Sequence, residues 1–315
     1  MSEELKIWFL DVGHGDCSYI ELPNGARMMI DCGSGDDHWP SKFLNNYHKI
    51  NKSNPVPASN NFLNCGLDRL VITHPHGDHI GDIEAIYKEI GFYLFTGGYS
   101  SFIDRITSDQ IDFRKRGQNA TKEFMEIVKR YNGTYDLNTD RIVADPLCRV
   151  EMKRFIEYED GMDLNELSFF VSIKIGRHKV LFTGDMTAVG VRKILDSNQK
   201  SSFKEFVKGT TILKIPHHGR DNGCSQEMFE AFESKPLLCI VSDEILNERN
   251  EGTSNTNWYI YRASDKEVNI NGVMQSRKVL TTRKDKDILL KISDTGSVSV
   301  ITNYFKDVKP KILQN

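Results

Sequence analysis

The chain lacks the marks of several protein classes. No apolar run approaches the ~20 residues that span a bilayer; the longest, such as Phe169 to Ile175, are broken by Ser or Lys. There is no CxxC pair, and the six cysteines (Cys17, Cys32, Cys65, Cys148, Cys224 and Cys239) are scattered. With a polar opening, Met1-Ser2-Glu3-Glu4-Leu5-Lys6, that carries no export signal, they read as reduced thiols, most of them in the core of a cytoplasmic protein. A basic excess is also absent: 41 Lys and Arg stand against 44 Asp and Glu, a net charge of −3, so bulk electrostatics do not announce a nucleic-acid binder. Only Arg114-Lys115-Arg116 and Lys129-Arg130 are locally basic, and they read as a solvated helix face. Hydrophobic residues at 39% and charged residues at 27% exclude a collagenous, disordered or membrane-embedded chain and leave an ordinary globular one.

What is present is a series of short strand patterns, each ending in a turn signal. Lys6 to Val12 reads as a strand running into Gly13-His14-Gly15-Asp16, and Ser18–Leu22 with Ala26–Cys32 reads as a hairpin about Pro23-Asn24-Gly25. Residues 33–66 form a polar excursion with a weak helical patch at Lys42–Lys49. Leu67–Thr73 has the look of a buried strand, followed by a His-rich turn and a helix over Ile80–Ile90. Between 100 and 165 the helical spacing of Asp112–Tyr131 and its charge density predict an exposed insertion. Strands are expected again at Phe169–Ile175, His178–Thr183, Thr211–Ile215, Leu237–Ser242, Val279–Thr282, Ile288–Ile292 and Val298–Thr302. Helices are expected at Thr187–Leu195, Gln226–Phe232 and near Trp258. No linker separates the halves, so residues 1–315 read as one α/β domain.

The chemistry concentrates in the turn Thr73-His74-Pro75-His76-Gly77-Asp78-His79. Three imidazoles and a carboxylate at a strand end are costly to bury unless an ion coordinates and neutralises them. His74 and His76, two apart on extended backbone, point the same way and can grip one ion; the turn swings Asp78 and His79 toward a second position. Imidazole and carboxylate ligands suit Zn²⁺ first, with Mn²⁺ or Fe²⁺ next. Two further strand ends complete the set: Phe182-Thr183-Gly184-Asp185, whose carboxylate can bridge two ions, and Pro216-His217-His218-Gly219 with adjacent imidazoles. The Gly-Asp alone is an ordinary turn, the paired imidazoles less so; the three in this order are more specific than any part.

Through Asp11-Val12-Gly13, His74-Pro75-His76-Gly77-Asp78-His79, Phe182-Thr183-Gly184-Asp185 and Pro216-His217-His218-Gly219, the chain resembles the metallo-β-lactamase superfamily. Among its branches it is most similar to the hydrolase domain of ComEC/Rec2 DNA-uptake proteins, from residue 5 to about 245. The resemblance implies a four-layer αββα sandwich, with an insertion around residues 100–165, and a binuclear site whose metal-bound hydroxide is the nucleophile. It implies that His74 and His76 hold the first metal, Asp78, His79 and His218 the second, and that Asp185 bridges. His217 would touch substrate phosphate or act as general acid, Asp78 would orient or deprotonate the attacking water, and Asp11 would steady a ligand loop.

Three departures bear on these roles. The third first-site histidine of many members has no counterpart in Asp163-Leu164-Asn165-Glu166-Leu167-Ser168. His14 stands where the branch has Gln, as an extra ligand, a substrate contact or a loop residue, and the membrane channel of ComEC is missing. Of the other histidines, His178 is expected at the surface and His38 and His48 in the polar excursion, with His38-Trp39 a candidate for the pocket mouth. Trp258-Tyr259-Ile260-Tyr261 reads as core. The expectation is a metal-dependent hydrolase with two divalent ions, zinc or manganese, acting on a phosphodiester, a nucleotide or nucleic acid, and with no membrane partner. Hydrolysis of lactone, thioester or β-lactam bonds, or a non-catalytic metal-binding regulatory module, are the competing readings.

Overall fold

The computed structural model describes residues 4–35, 38–56, 64–97, 103–111, 118–131, 140–244 and 255–305. Two sheets face each other. The first holds nine strands in the order β12-β11-β15-β14-β1-β2-β3-β4-β5 and the second six in the order β13-β10-β9-β8-β7-β6. In chain order these are β1 Glu4–Phe9, β2 Cys17–Glu21, β3 Arg27–Cys32, β4 Leu67–Val71, β5 Phe92–Thr96, β6 Cys148–Lys153, β7 Phe170–Ile175 and β8 His178–Phe182. They continue with β9 Ile212–Lys214, β10 Leu238–Val241, β11 Val268–Ile270, β12 Val273–Gln275, β13 Val279–Thr281, β14 Ile288–Ser293 and β15 Val298–Ile301.

Strand alternation creates the layers, because successive side chains leave opposite faces of a sheet. Leu5, Ile7 and Phe9 of β1, Met28 and Ile30 of β3, and Val180 and Phe182 of β8 meet in the apolar layer between the sheets. The opposite faces of β1 to β3, carrying Trp8, Tyr19 and Met29, bury under one set of helices. Leu181, Leu213 and Cys239 of the second sheet bury under Ala188–Asp196, Lys200–Val207, Gln226–Ala231 and Thr256–Arg262. Helix, sheet, sheet, helix is the expected four-layer αββα order. Each large apolar side chain removed from water contributes about 1.5–3 kcal/mol, so three such layers hold the frame.

Several expectations are corrected. Residues 100–165 do not stand off the fold: helix Gln118–Arg130 buries Ala120, Phe124 and Ile127 in the first helical layer, and β6 is the edge of the second sheet, antiparallel to β7. The start of the expected helix at Asp112 lies outside the described residues. The helix expected over Ile80–Ile90 is broken into Gly77–Ile80, Ile83–Ala85 and a π-turn, Ile86–Ile90. The break falls where the Asp82 amide donates to the Cys32 carbonyl at 2.9 Å instead of continuing the ladder. His178 is buried, not exposed: the turn between β14 and β15 covers it, with Nε2 3.1 Å from the Gly296 carbonyl. His48 is no surface residue either; its ring sits among Trp8, Tyr19, Phe43 and Tyr47. The six thiols are free and five are buried. Tyr259 is core, whereas Tyr261 on the same helix faces solvent. No helix among the described residues is long and apolar enough to cross a membrane.

Candidate metal centre

The parallel strands β3, β4, β8 and β9 deliver their carboxyl ends to one edge of the sandwich. β3 carries Asp31; beyond β4, β8 and β9 lie His74, Asp185 and His217-His218. Two glycines let the loops converge. A side chain on Gly33 would sit 2.1 Å from the Asp78 carbonyl, and Gly184 adopts φ +52° against Ser168 and Thr73. His217 and His218 also take left-handed backbone angles, φ 47° and 50°, a sparsely populated region for residues with a Cβ. That turn aims both neighbouring rings at Asp185: Nε2 of His217 is 3.9 Å and Nε2 of His218 is 3.5 Å from Oδ2.

Asp78, His79, Asp185 and His218 each offer one donor atom, and the four lie within 4.8 Å of one another. His79 Nε2 faces Asp185 Oδ1 at 3.3 Å, and His218 Nε2 faces Asp78 Oδ2 at 3.2 Å. His79 Nε2, His218 Nε2 and Asp185 Oδ1 are buried with no hydrogen-bond partner. Leaving three converging polar atoms so placed costs about 1–3 kcal/mol each, which a divalent ion would recover. Two imidazoles and two carboxylates suit such an ion, so the residues fit the expected group. The far ring nitrogens are already engaged: His79 Nδ1 lies 2.9 Å from Asp31 Oδ2, and His218 Nδ1 lies 3.0 Å from the Ser242 carbonyl. Both partners accept, so Nδ1 donates to them and Nε2 is the nitrogen left facing the site, able to ligate an ion once it gives up its proton.

His74 and His76 stand on the other side of Asp185. His74 Nε2 is 3.1 Å from His76 Nδ1 and 3.7 Å from Asp185 Oδ2. Burial pushes His74 well below the usual imidazole value, and the charge on His79 adds to it. Burial also opposes charge on His79 and His218, but Asp185 with Asp31 holds His79 well above its ordinary value, and Asp185 with Asp78 holds His218 up to about 10. For Asp78 and Asp185 burial works upward, and the imidazoles outweigh it, so both carboxyls stay well below the usual range.

All seven residues singled out in the sequence, His74, His76, Asp78, His79, Asp185, His217 and His218, therefore meet at one edge. His14 does not join His74 and His76: its Nε2 is 3.6 Å from Asp78 Oδ2, and its ring is 4.8 Å from that of His218. Asp11 is turned to the C-terminal segment, its amide donating to Asp287 and its carboxylate 3.5 Å from Lys286. The 163–168 turn, which lacks the third histidine, does reach the site, since Ser168 Oγ accepts the Asp185 amide at 3.0 Å. The sequence reading missed Asp31, which accepts from the Thr73 amide and hydroxyl at 2.7 Å each as well as facing His79. A carboxylate ending the apolar strand before Gly33 was the available signal. It also missed the buried pair Asp16–Lys214 at 2.5 Å, which ties the loop after β1 to the end of β9.

Residues 10–97 match the family model described as the metallo-beta-lactamase superfamily. Among curated proteins the chain is similar to ComE operon protein 3 of Bacillus subtilis, at 22% identity over 245 residues, covering 76% of this chain and 28% of that protein. It is also similar to transcription termination factor FttA of Methanothermobacter thermautotrophicus, at 27% identity over 186 residues, covering 56% of this chain and 26% of that protein. The chain thus spans about a quarter of the length of these curated relatives. A solved long-form RNase Z from yeast aligns with 91% of this chain and 48% of its own, at 9% identity and a TM-score of 0.42. The matched residues 10–97 carry the His-rich turn, and the two-sheet architecture is the one that this resemblance implies.

Proposed function

We propose that the chain is a metal-dependent hydrolase of phosphodiesters, acting on a nucleotide or a nucleic acid. The observation that carries the hydrolase reading is the convergence of Asp78, His79, Asp185 and His218, with three buried donor atoms unpartnered in the protein. The phosphodiester preference draws support from the resemblance to the ComEC branch and from the similarity to a transcription termination factor.

In this reading Asp78, His79, Asp185 and His218 would hold one ion, and His74 and His76, on the other side of Asp185, would hold the other. Zinc or manganese bound there would supply Lewis-acid activation of water at neutral pH and would neutralise charge developing on the ester. The protein's part is orientation. Asp31 and the Ser242 carbonyl fix the tautomers of His79 and His218. Asp78 would orient the attacking water and take its proton, and His217, 3.9 Å from Asp185, would contact the phosphate; burial lowers its imidazole, so it would do so as a neutral hydrogen-bond donor. Elemental analysis of metal-replete protein, with turnover of bis-p-nitrophenyl phosphate set against nitrocefin, tests the reading. One to two equivalents of metal and phosphodiester turnover are expected. Bound metal with nitrocefin turnover alone would move the substrate class to amide or ester bonds, and bound metal with neither would leave a binding module.

A further inference from the structure

We propose that Arg220, with His14 beside it, is an anion-binding subsite that seats a substrate phosphate group at the Asp78–His218 side of the metal centre. The proposal rests on the phosphodiester reading above and names the residue that would recognise the phosphate.

Arg220 directly follows the His217-His218-Gly219 turn, and its amide donates to the His217 carbonyl at 2.9 Å, which fixes the base of the side chain. The half-buried guanidinium reaches to 3.3 Å from His14 Nε2. His14 in turn is 3.6 Å from Asp78, and Asp78 is 3.2 Å from His218. The cation is therefore one imidazole away from the metal cluster.

Arg220, like half-buried Arg262, meets no carboxylate among the described residues, in contrast to three other arginines. Arg69, Arg141 and Arg277 each close on a carboxylate, Asp140, Asp68 and Asp285 respectively. Among the described residues no carboxylate pairs with Arg220. The adjacent Asp221 accepts from Asn255 Nδ2 at 2.9 Å instead. Arginine can only donate, so the lone pair of His14 Nε2 is the acceptor in this contact. That lone pair uses one N–H of a five-donor fork and adds no negative charge. The remaining donors and the full positive charge are available to a planar pair of oxygens, the geometry that guanidinium offers to phosphate.

The test is calorimetric titration of inorganic phosphate into the zinc-loaded protein and into the same protein after chelation, for wild type, Arg220→Ala, Arg220→Lys and His14→Ala. Thermal melts confirm that each variant is folded. Arg220→Ala is expected to weaken phosphate binding by about tenfold or more in the zinc-loaded protein, the loss of a charged bidentate contact. Arg220→Lys should recover part of it, and His14→Ala should lose less than Arg220→Ala. The KM for bis-p-nitrophenyl phosphate should rise in parallel, with kcat less affected. Unchanged phosphate affinity in Arg220→Ala would overturn the proposal. So would a His14→Ala loss equal to that of Arg220→Ala, because Arg220 would then only prop the imidazole. Arg220-dependent phosphate binding in a wild type that does not cleave phosphodiesters would refute the phosphodiester reading while upholding the subsite.

Discussion

Asp31→Asn isolates the support of a single ligand. Asp31 is buried, has a left-handed φ of 56°, and accepts three hydrogen bonds: Oδ1 from the Thr73 amide, Oδ2 from the Thr73 hydroxyl and from His79. Asparagine tolerates that backbone conformation and keeps one acceptor, so the fold should survive. At the other position an NH₂ would replace the oxygen and confront His79 Nδ1–H, donor against donor. The imidazole can relieve the clash by moving its proton to Nε2, the atom 3.3 Å from Asp185 that is to bind metal. Loss of a carboxylate behind a ligating histidine weakens metal binding by about 10- to 100-fold, which is about 1.4–2.7 kcal/mol. Competition against a chromophoric chelator measures it directly. Asp31→Ala, which leaves Nδ1 without a partner but imposes no donor clash, should keep the metal-binding tautomer accessible and lose less. A variant Asp31→Asn that is folded and binds zinc as tightly as wild type would refute the argument that Asp31 sets the His79 tautomer.

Asp78→Ala and Asp185→Ala should each abolish hydrolysis while far-UV circular dichroism stays unchanged, since both side chains sit at strand ends and bury little apolar area; near wild-type turnover in either would cancel that residue's role. Metal titration of the apoprotein should show two steps, the Asp78–His79–Asp185–His218 site filling first, because its four donors already cluster within 4.8 Å. His14→Ala should leave the weaker step unmoved, since His14 stands on the other side of Asp185; two equal steps would mean another ligand completes the His74/His76 site. His48 is half-buried among aromatic rings with Nε2 unpartnered, and its desolvation, helped by Arg27 and Lys6, lowers it to about 4. Glu21, at 3.7 Å, is too far for a hydrogen bond to His48 and accepts from Tyr19 instead, so burial prevails. The unfolded chain then binds the extra proton between about 6.5 and 4, so stability present above pH 6.5 is lost as pH falls toward 4, by about 2–4 kcal/mol. Urea unfolding at pH 7 and pH 4.5 checks the sign, and His48→Phe should flatten the difference.

The strands that carry the site were legible because their patterns are local. β3, β4, β8 and β9 are short apolar runs with turn chemistry at their ends, and they lie within a residue or two of where the pattern put them. The helices under the first sheet were not. Phe124 and Ile127 sit among charged neighbours, and a charge-dense helix reads as exposed until a sheet is known to cover its apolar stripe. The Gly77–Ile90 stretch has helical spacing, yet it breaks because the Cys32 carbonyl, from a strand far back in the chain, captures the Asp82 amide. His178 failed for the same reason in reverse, since the turn that buries it arrives more than a hundred residues later.

The same division runs through the metal centre. Ligands cluster in sequence because one turn can supply several donors, so His74 to His79 announce themselves. The residues that aim those donors are selected by space alone. Asp31 reaches His79 across 48 positions, Asp16 reaches Lys214 across the two sheets, and Arg220 meets His14 206 positions away. None of these has a spacing that a pattern can register, and each is ordinary in its own segment: an Asp before Cys-Gly, a Lys at a strand end, an Arg after a turn. Donor identity is therefore written locally, whereas tautomer and substrate charge recognition are properties of the assembled edge. Substitutions at Asp31 and Arg220 should accordingly alter affinity and selectivity while the metal-binding motif itself remains intact.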